Sequence, residues 1–398
     1  MEEKLIIVMV GLPARGKSYT SNNLCRFFNW CGFRSKVFNS GEYRRNLING
    51  FQDSNFFNFE NVENFDKKEK ISYLCFNDLL NWLNLEGQIA FFDATNSDKN
   101  RRKYIIKNSQ QYKVIFLELI ANDDNIINKN LELKLISPDY YDKDRNFALE
   151  DFKKRLNFYE SKYESINDDE NVNYIKIINF TEKLLIKNIY GINESLLISY
   201  LMNLRLNKYP IYLTRHGQSI NNTKNIIGGD CSLCEKGFEY REKLHEFIKK
   251  DINGDFIIFT SCLKRTKITA ELFTEKKIES RLLNEIHGGI CENMSYEKIE
   301  NEHPEIFFER NKDKLKFRYP EGESYIDLLE RLRYFVLQLN SYRKPILIVA
   351  HNAIIKVLLG YFQEIPHNEM PHINVNLHEV IKLTPNSKNY LVDKVKLL

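Results

Sequence analysis

The segment Gly11-Leu-Pro-Ala-Arg-Gly-Lys17-Ser18 follows the apolar run Leu5-Ile-Ile-Val-Met-Val10 and reads G-x-x-x-x-G-K-S. In that spacing the loop N–H groups and the N-terminus of the following helix bind a triphosphate without any side chain. Lys17 reaches the β- and γ-phosphates, and the Ser18 hydroxyl ligates Mg²⁺. A second acidic group is then needed. Gln88-Ile-Ala-Phe-Phe-Asp93 ends an apolar strand in an aspartate, placed to hold magnesium through water or to accept the proton of an attacking hydroxyl. Phosphoryl transfer also needs cations around the transferred group, and Lys134 and Arg155 follow strands of the same half.

A different chemistry is written in the second half. Thr214-Arg215-His216-Gly217 and Ala350-His351-Asn352 each end a strand-like run, and they hold two of only eight histidines. One imidazole can attack phosphorus while the second donates hydrogen bonds to the phosphoryl group. Arg215, and Arg265 in Thr260-Ser-Cys-Leu-Lys-Arg265-Thr, would neutralise the phosphoryl oxygens in forked geometry. Glu285, in Leu283-Asn-Glu285-Ile286, could protonate a leaving alkoxide if burial raises its pKa. Together these groups point to a histidine-phosphatase site.

Both sets need strands to carry them. Apolar runs at 5–10, 35–39, 88–93, 113–120 and 173–178 alternate with amphipathic stretches near 17–30, 67–85, 98–108, 124–135 and 147–163. That alternation predicts a parallel sheet with helices on both faces. A helical stretch at about 190–206 leads to Pro210, a residue that sits at strand starts rather than inside strands. The alternation then begins again, with buried strands at 211–214, 256–259 and 346–350. The fold class is therefore α/β. Two domains are expected from the length of 398 residues, one over 1–208 and one over 209–398. The motifs that follow the three strands of the second half lie just beyond their carboxyl ends, where open α/β sheets bind ligands.

Composition removes other classes. Lys and Arg number 58 against 54 Asp and Glu, a net charge of +4, which gives no reason to expect nucleic acid. No run of 18 apolar residues is present, so no membrane span is expected. Met1-Glu-Glu-Lys leads straight into a strand, which leaves no room for a signal peptide. Seven cysteines, an odd number, fit a reduced, cytoplasmic setting. Cys231-Ser-Leu-Cys234 has no second pair and no histidine spacing that would make it a zinc site. Two glycosylation sequons, at Asn193 and Asn221, carry no expectation without a secretory route.

Read as a whole, the chain resembles the bifunctional 6-phosphofructo-2-kinase/fructose-2,6-bisphosphatase family, from about residue 4 to residue 385. The stretches that carry the likeness are VMVGLPARGKSY, KVFNSGEYRR, FFDATN, ISPDY, LTRHG, TSCLKRT, LNEI, YPEGESY, AHNAIIKVLLGYF and EMPHINVNLHEVIKLTP, in that order. The resemblance implies a P-loop NTPase-type kinase domain followed by a phosphoglycerate mutase-like, histidine-phosphatase domain. The first would move the γ-phosphate of ATP to the 2-hydroxyl of fructose 6-phosphate; the second would hydrolyse the fructose 2,6-bisphosphate so made.

By the same resemblance Gly11, Arg15, Gly16, Lys17, Ser18 and Tyr19 bind ATP, with magnesium at Ser18 and Asp93. Lys134 bridges nucleotide and sugar, and Arg45, Thr95, Arg155 and Tyr159 hold fructose 6-phosphate. His216 becomes phosphohistidine. Arg215, Asn222, Gly228, Arg265 and His351 surround the phosphoryl group, Glu285 is the acid, and Tyr296, Arg318 and Lys356 contact the rest of the bisphosphate. A homodimer is implied as well, and the longer regulatory tails of some relatives are expected to be missing.

The sequence also departs from the family pattern. Asn58 stands where an arginine usually grips the sugar 6-phosphate, a loss worth about 1.5–3 kcal/mol, or ten- to a hundredfold in affinity. Ile226, Glu321, His287, Asn352 and Lys356 replace more usual residues around the second site. These departures leave one rival open, a chain with a single dominant activity. Beside it stand the same architecture acting on another substrate, such as a different sugar phosphate, and a sensor that binds ATP and sugar phosphates without turnover.

Overall fold

The computed structural model describes residues 4–48, 50–135, 139–180, 182–204, 209–386 and 389–398. Residues 136–138 of the ISPDY stretch and 205–208 at the expected domain boundary lie outside the described residues. The chain divides into two compact units, Met1–Leu204 and Arg205–Leu398.

The first unit runs β1 (Leu5–Val10), α1 (Lys17–Trp30), β2 (Ser35–Asn39), α2 (Ser40–Leu47), α3 (Val62–Leu85), β3 (Ile89–Asp93), α4 (Lys99–Asn108), β4 (Lys113–Ile120), α5 (Asp124–Leu135), α6 (Arg145–Glu160), β5 (Tyr174–Ile178), β6 (Lys183–Lys187) and α7 (Ile192–Asn203). Its sheet has the order β2-β3-β1-β4-β5-β6. The continuous apolar runs of β1 and β3 are buried at every position, as strands covered on both faces must be. β1 lies between β3 and β4 in parallel register, Leu5 beside Ile89 and Lys113. Phe76, Leu79 and Leu83 of α3 pack on one face of this sheet with Ile6, Val8 and Phe92. The carboxyl ends of β1, β3 and β4 therefore open side by side. The expected all-parallel sheet gains an antiparallel edge: β6 pairs with β5 in the reverse sense, its residues mostly exposed. Such a half-solvated strand lacks the long apolar run that marks a central one.

The second unit runs β7 (Ile211–Arg215), α8 (Ile220–Thr223), α9 (Glu235–Asp251), β8 (Ile257–Thr260), α10 (Lys264–Thr269), β9 (Lys276–Glu279), α11 (Tyr296–Glu302), α12 (Pro304–Lys312), α13 (Tyr325–Leu339), β10 (Ile346–Ala350), α14 (Asn352–Phe362), β11 (Glu379–Pro385) and β12 (Tyr390–Lys396). The sheet order is β12-β11-β7-β10-β8-β9. β7, β10 and β8 are parallel neighbours, so His216, His351 and Ser261 emerge from adjacent strand ends. β11 and β12 are antiparallel, again at one side of the sheet.

Candidate active sites

In the first unit the turn from β1 into α1 is held by conformations that only certain residues allow. Gly11 has φ 136°, and a Cβ there would lie 2.6 Å from the Leu119 carbonyl oxygen. Gly16, at φ 85°, would place a Cβ 2.7 Å from the Phe180 ring. Lys17 folds back over the loop, its Nζ donating to the carbonyl oxygens of Gly11 and Leu12, both at 2.7 Å. Burial pushes this ammonium down to about 7, against the pull of Asp93 and with Lys134, Arg15 and Arg155 adding to the push. Arg15 is buried, its Nη1 donating to the Pro13 carbonyl; Ser18 and Tyr19 are half-buried on the first turn of α1.

Asp93 ends β3, 3% exposed, and accepts a short hydrogen bond from Asn39 Nδ2. The segment behind it is tied to the phosphate loop twice: Gly11 N–H donates to the Thr95 carbonyl at 3.1 Å, and Asn96 Nδ2 to the Met9 carbonyl at 2.8 Å. Lys134, in the last turn of α5, is lowered by burial and lies within the fields of both Asp93 and Arg155. The structure thus brings Lys17, Asp93, Lys134 and Arg155 into one electrostatic neighbourhood.

Next to it three guanidiniums converge on one carboxylate. Arg44, Arg155 and Arg45 reach Asp139 at 2.6, 3.3 and 3.4 Å. Burial alone would raise Asp139, yet Arg44 and Arg155 pull it down to about 2. Arg155 also stacks on Phe57, 3.7 Å from the ring centroid, and Tyr159 closes the same aromatic group at 6.1 Å. Arg44 is the more deeply buried of the α2 pair, with 8% of its side chain exposed against 36% for Arg45. Sequence reasoning named only Arg45. It also missed Lys68, whose Nζ lies 4.2 Å from the Phe59 centroid and 6.0 Å from that of Tyr159. Burial brings Lys68 down to about 8. Asn58, beside this group, turns inward on its own loop and accepts from Glu60 N–H at 3.0 Å.

The site of the second unit is built from side chains rather than a loop. His216 follows β7, 3% exposed. Its Nδ1 lies 2.7 Å from the Gly217 carbonyl oxygen, which can only accept, so Nδ1 carries the proton and Nε2 the lone pair. Arg265 Nε–H donates to that Nε2 at 3.1 Å. Burial, and after it Arg265, holds His216 well below the usual imidazole range. His351 faces it with ring centroids 5.2 Å apart, fully buried and lowered for the same reasons. Its Nε2 lies 2.8 Å from Ser261 Oγ. Its buried Nδ1 has no partner among the described residues, nor has Asn352 Oδ1. When Ser261 Oγ donates to Nε2, the proton sits on Nδ1, a donor suited to a phosphoryl oxygen.

Glu285 completes the group. Its Oε1 accepts from Ile286 N–H at 3.1 Å and Ala353 N–H at 3.2 Å. Burial lifts it above the usual carboxylate range, although those two N–H groups, Arg265 and Arg215 oppose the shift. Arg215 is anchored by Nη1 on the Val375 carbonyl at 3.0 Å. Arg265 is anchored by Nη1 on the Gly229 carbonyl at 2.6 Å. The Gly228-Gly229 turn that offers this carbonyl is itself gripped by Glu292, which accepts Gly229 N–H at 2.7 Å; a Cβ on Gly228 would meet the same carboxylate at 1.9 Å. Asn222 is engaged in a reciprocal cap with Ser219 at the start of α8.

Around this core lie the outer cations. Lys356 Nζ donates to the Pro371 carbonyl at 2.8 Å; burial lowers it, with Lys314, Arg215 and Arg310 in its field. Tyr296 OH accepts from Arg310 Nη2 at 3.1 Å, and Tyr319 OH from Arg310 Nε at 2.6 Å. Arg318, the arginine expected here, is not brought into the group: its side chain is 61% exposed and pairs with Asp327. Arg310 and Lys314 stand with Lys356 and Tyr296 instead. Their spacing from the motifs carries no signal, since α11 and α12 fold back to present them.

Comparison with known proteins agrees along the whole length. Residues 1–208 match the family model of 6-phosphofructo-2-kinase, and residues 211–397 that of the histidine phosphatase superfamily, branch 1. The chain is 38% identical over 401 residues to a Saccharomyces cerevisiae protein named fructose-2,6-bisphosphatase, covering 99% of this chain and 88% of that relative. It is 39% identical over 398 residues to 6-phosphofructo-2-kinase/fructose-2,6-bisphosphatase 1 of Homo sapiens, covering 98% and 84%, and equally to the Aquarana catesbeiana protein of that bifunctional name. With both family models matched in order on one chain, this protein belongs to the 6-phosphofructo-2-kinase/fructose-2,6-bisphosphatase family.

Proposed function

We propose that the chain makes and removes fructose 2,6-bisphosphate at two separate sites, the kinase over 1–208 and the phosphatase over 209–398. The observation that carries the reading is the pair of buried, neutral imidazoles between two anchored arginines, with a raised carboxyl beside them. That arrangement suits attack on phosphorus by a nitrogen lone pair.

In the kinase unit Gly11, Arg15, Gly16, Lys17, Ser18 and Tyr19 form the ATP loop. Lys17 exchanges its loop carbonyls for β- and γ-phosphate oxygens, a transfer of hydrogen bonds that restores its charge. Asp93 accepts the proton of the sugar 2-hydroxyl as its oxygen bonds to the γ-phosphorus and the bond to the β-phosphate oxygen breaks. Ser18 and Asp93 are hard oxygen donors of the kind magnesium takes, and magnesium bound there supplies charge neutralisation on the phosphates. Arg44, Arg45, Thr95, Lys134, Arg155 and Tyr159 hold fructose 6-phosphate, with Lys68 as a further cation near the place Asn58 leaves neutral.

In the phosphatase unit His216 Nε2 attacks the 2-phosphoryl group while Arg265 shifts its Nε–H from the imidazole to a phosphoryl oxygen. Arg215, Asn222, Gly228 and His351 take the remaining oxygens. The bond to the sugar oxygen breaks and Glu285 gives that oxygen its proton. Water then attacks phosphohistidine, Glu285 takes a proton from it, and phosphate leaves. Tyr296, Lys356, Arg310 and Lys314 hold the 6-phosphate. A cytoplasmic location is supported by the odd count of seven cysteines. Among the described residues no helix is long and apolar enough to cross a membrane. A homodimer rests on the resemblance alone.

Asn58 favours one second reading, in which hydrolysis dominates; the yeast relative is named for that activity only. A phosphorus NMR time course with MgATP and fructose 6-phosphate separates the two. Accumulating bisphosphate means that the kinase tolerates Asn58 and outruns hydrolysis; ATP consumed with phosphate released, and bisphosphate building up once His216→Ala is introduced, supports both activities. Untouched ATP contradicts a working kinase.

A further inference from the structure

The general acid assigned above sits on a segment that a single arginine ties down. Arg331, on α13, directs all three guanidinium nitrogens at residues 282–285 and 323. Nη1 donates to the Leu282 carbonyl, and Nη2 to the carbonyls of Asn284 at 2.7 Å and Glu285 at 3.4 Å. Nε and Nη2 also grip Glu323, at 2.9 and 3.2 Å. Glu323 Oε2 accepts His287 N–H at 2.9 Å, and the Glu323 N–H donates to the His287 carbonyl at 2.9 Å. The backbone is therefore pinned on both sides of Glu285, while the Glu285 carboxyl itself is held by the N–H groups of Ile286 and Ala353.

We propose that Arg331, braced by Glu323, is a positioning residue that aims Glu285 at the leaving oxygen of the bisphosphate. The proposal rests on the assignment of Glu285 as the acid. A planar fork is what such a brace needs, because it serves carbonyls and a carboxylate at once; an ammonium cannot. Glu323 has a second effect. A half-buried cation beside Glu285 would favour its ionised form, and pairing with Glu323 spares the acid that pull. Glu285 otherwise faces Arg215, Arg265, Lys356 and Tyr325.

The test uses the full chain and two substrates. Fructose 2,6-bisphosphate expels an alkoxide that must be protonated; p-nitrophenyl phosphate expels a phenolate that need not be. In Arg331→Gln, phosphoenzyme formation from the bisphosphate should fall about tenfold or more, with p-nitrophenyl phosphate changed by less than about threefold. Arg331→Lys should not restore the rate. Equal losses on both substrates, or none, would overturn the proposal. Glu285→Gln is the control: without its own selective loss the acid assignment fails, whereas with it and a wild-type Arg331→Gln only the positioning claim fails. Should Arg331→Gln not fold, Glu323→Gln keeps the fork and exposes its charge. The basic limb of bisphosphate hydrolysis should then move to lower pH, and an unmoved limb contradicts the proposal.

Discussion

The two phosphate sites of this chain solve opposite problems. In the first unit the groups proposed to bind phosphate are mostly backbone, set by positive-φ glycines at a strand-to-helix turn, and the cations nearby are gathered from α2, α5 and α6. Three of them close on Asp139, an internal carboxylate that holds guanidiniums together which would otherwise repel. In the second unit the reactive groups are side chains fixed at adjacent strand ends, each with a named anchor. The difference follows from chemistry. A kinase must bring two bound ligands together and can let the ligands finish the site. A phosphatase that attacks with its own imidazole must hold that imidazole neutral and aimed beforehand.

Crossed variants break this comparison most sharply. His216→Ala should reduce hydrolysis by about 10⁴-fold or more and leave synthesis intact, and Lys17→Met should cost synthesis about 10²–10³-fold and leave hydrolysis intact. Coupled assays on the same preparations check both; loss of both activities in either variant would contradict separate sites.

Next in size is the pH dependence of hydrolysis. His216 must be unprotonated, so activity is lost as pH falls through a value below the ordinary imidazole range. Glu285 must be protonated, so activity is lost as pH rises through a value above the ordinary carboxylate range. Glu285→Gln should lower the rate about 100-fold and remove the basic limb. A basic limb that survives this change would assign the acid elsewhere.

Asp139→Asn tests the other side. Removing the half-buried Asp139 charge from among Arg44 and Arg155 should destabilise the protein by about 2 kcal/mol, seen as a lower Tm, and added fructose 6-phosphate should recover part of the loss. An unchanged Tm would mean that the carboxylate does not organise the cluster. The smallest effect expected is that of Asn58→Arg, which should tighten fructose 6-phosphate binding by about tenfold in calorimetry. No change would show that Lys68 already supplies the contact.

How much of this was legible in the sequence follows from range. Asp93, His216 and His351 lie at or just past the end of an apolar strand and Lys17 one glycine-rich loop beyond another, so a short window contains both the reactive group and the element that positions it. Arg44 and Arg310 lie in no such window. Which of two adjacent arginines faces a site depends on the phase of α2, and the choice of Arg310 over Arg318 depends on how α11 and α12 fold back. Asp139 is recognisable only when α2 and α6 meet. The edge strands β6 and β12 were hidden because half-exposed strands give weaker patterns than buried ones, while the largely buried β11 is interrupted by Glu379 and Lys382.

The central claim, one chain with two phosphoryl-transfer sites in series, is met most directly by following labelled phosphate. The protein is given γ-³²P-ATP with fructose 6-phosphate, and both sugar and protein are sampled over time. Label should enter the bisphosphate first and then appear on the protein as acid-labile phosphohistidine, absent in His216→Ala. Label that reaches the protein without fructose 6-phosphate, or persists in His216→Ala, would contradict the account.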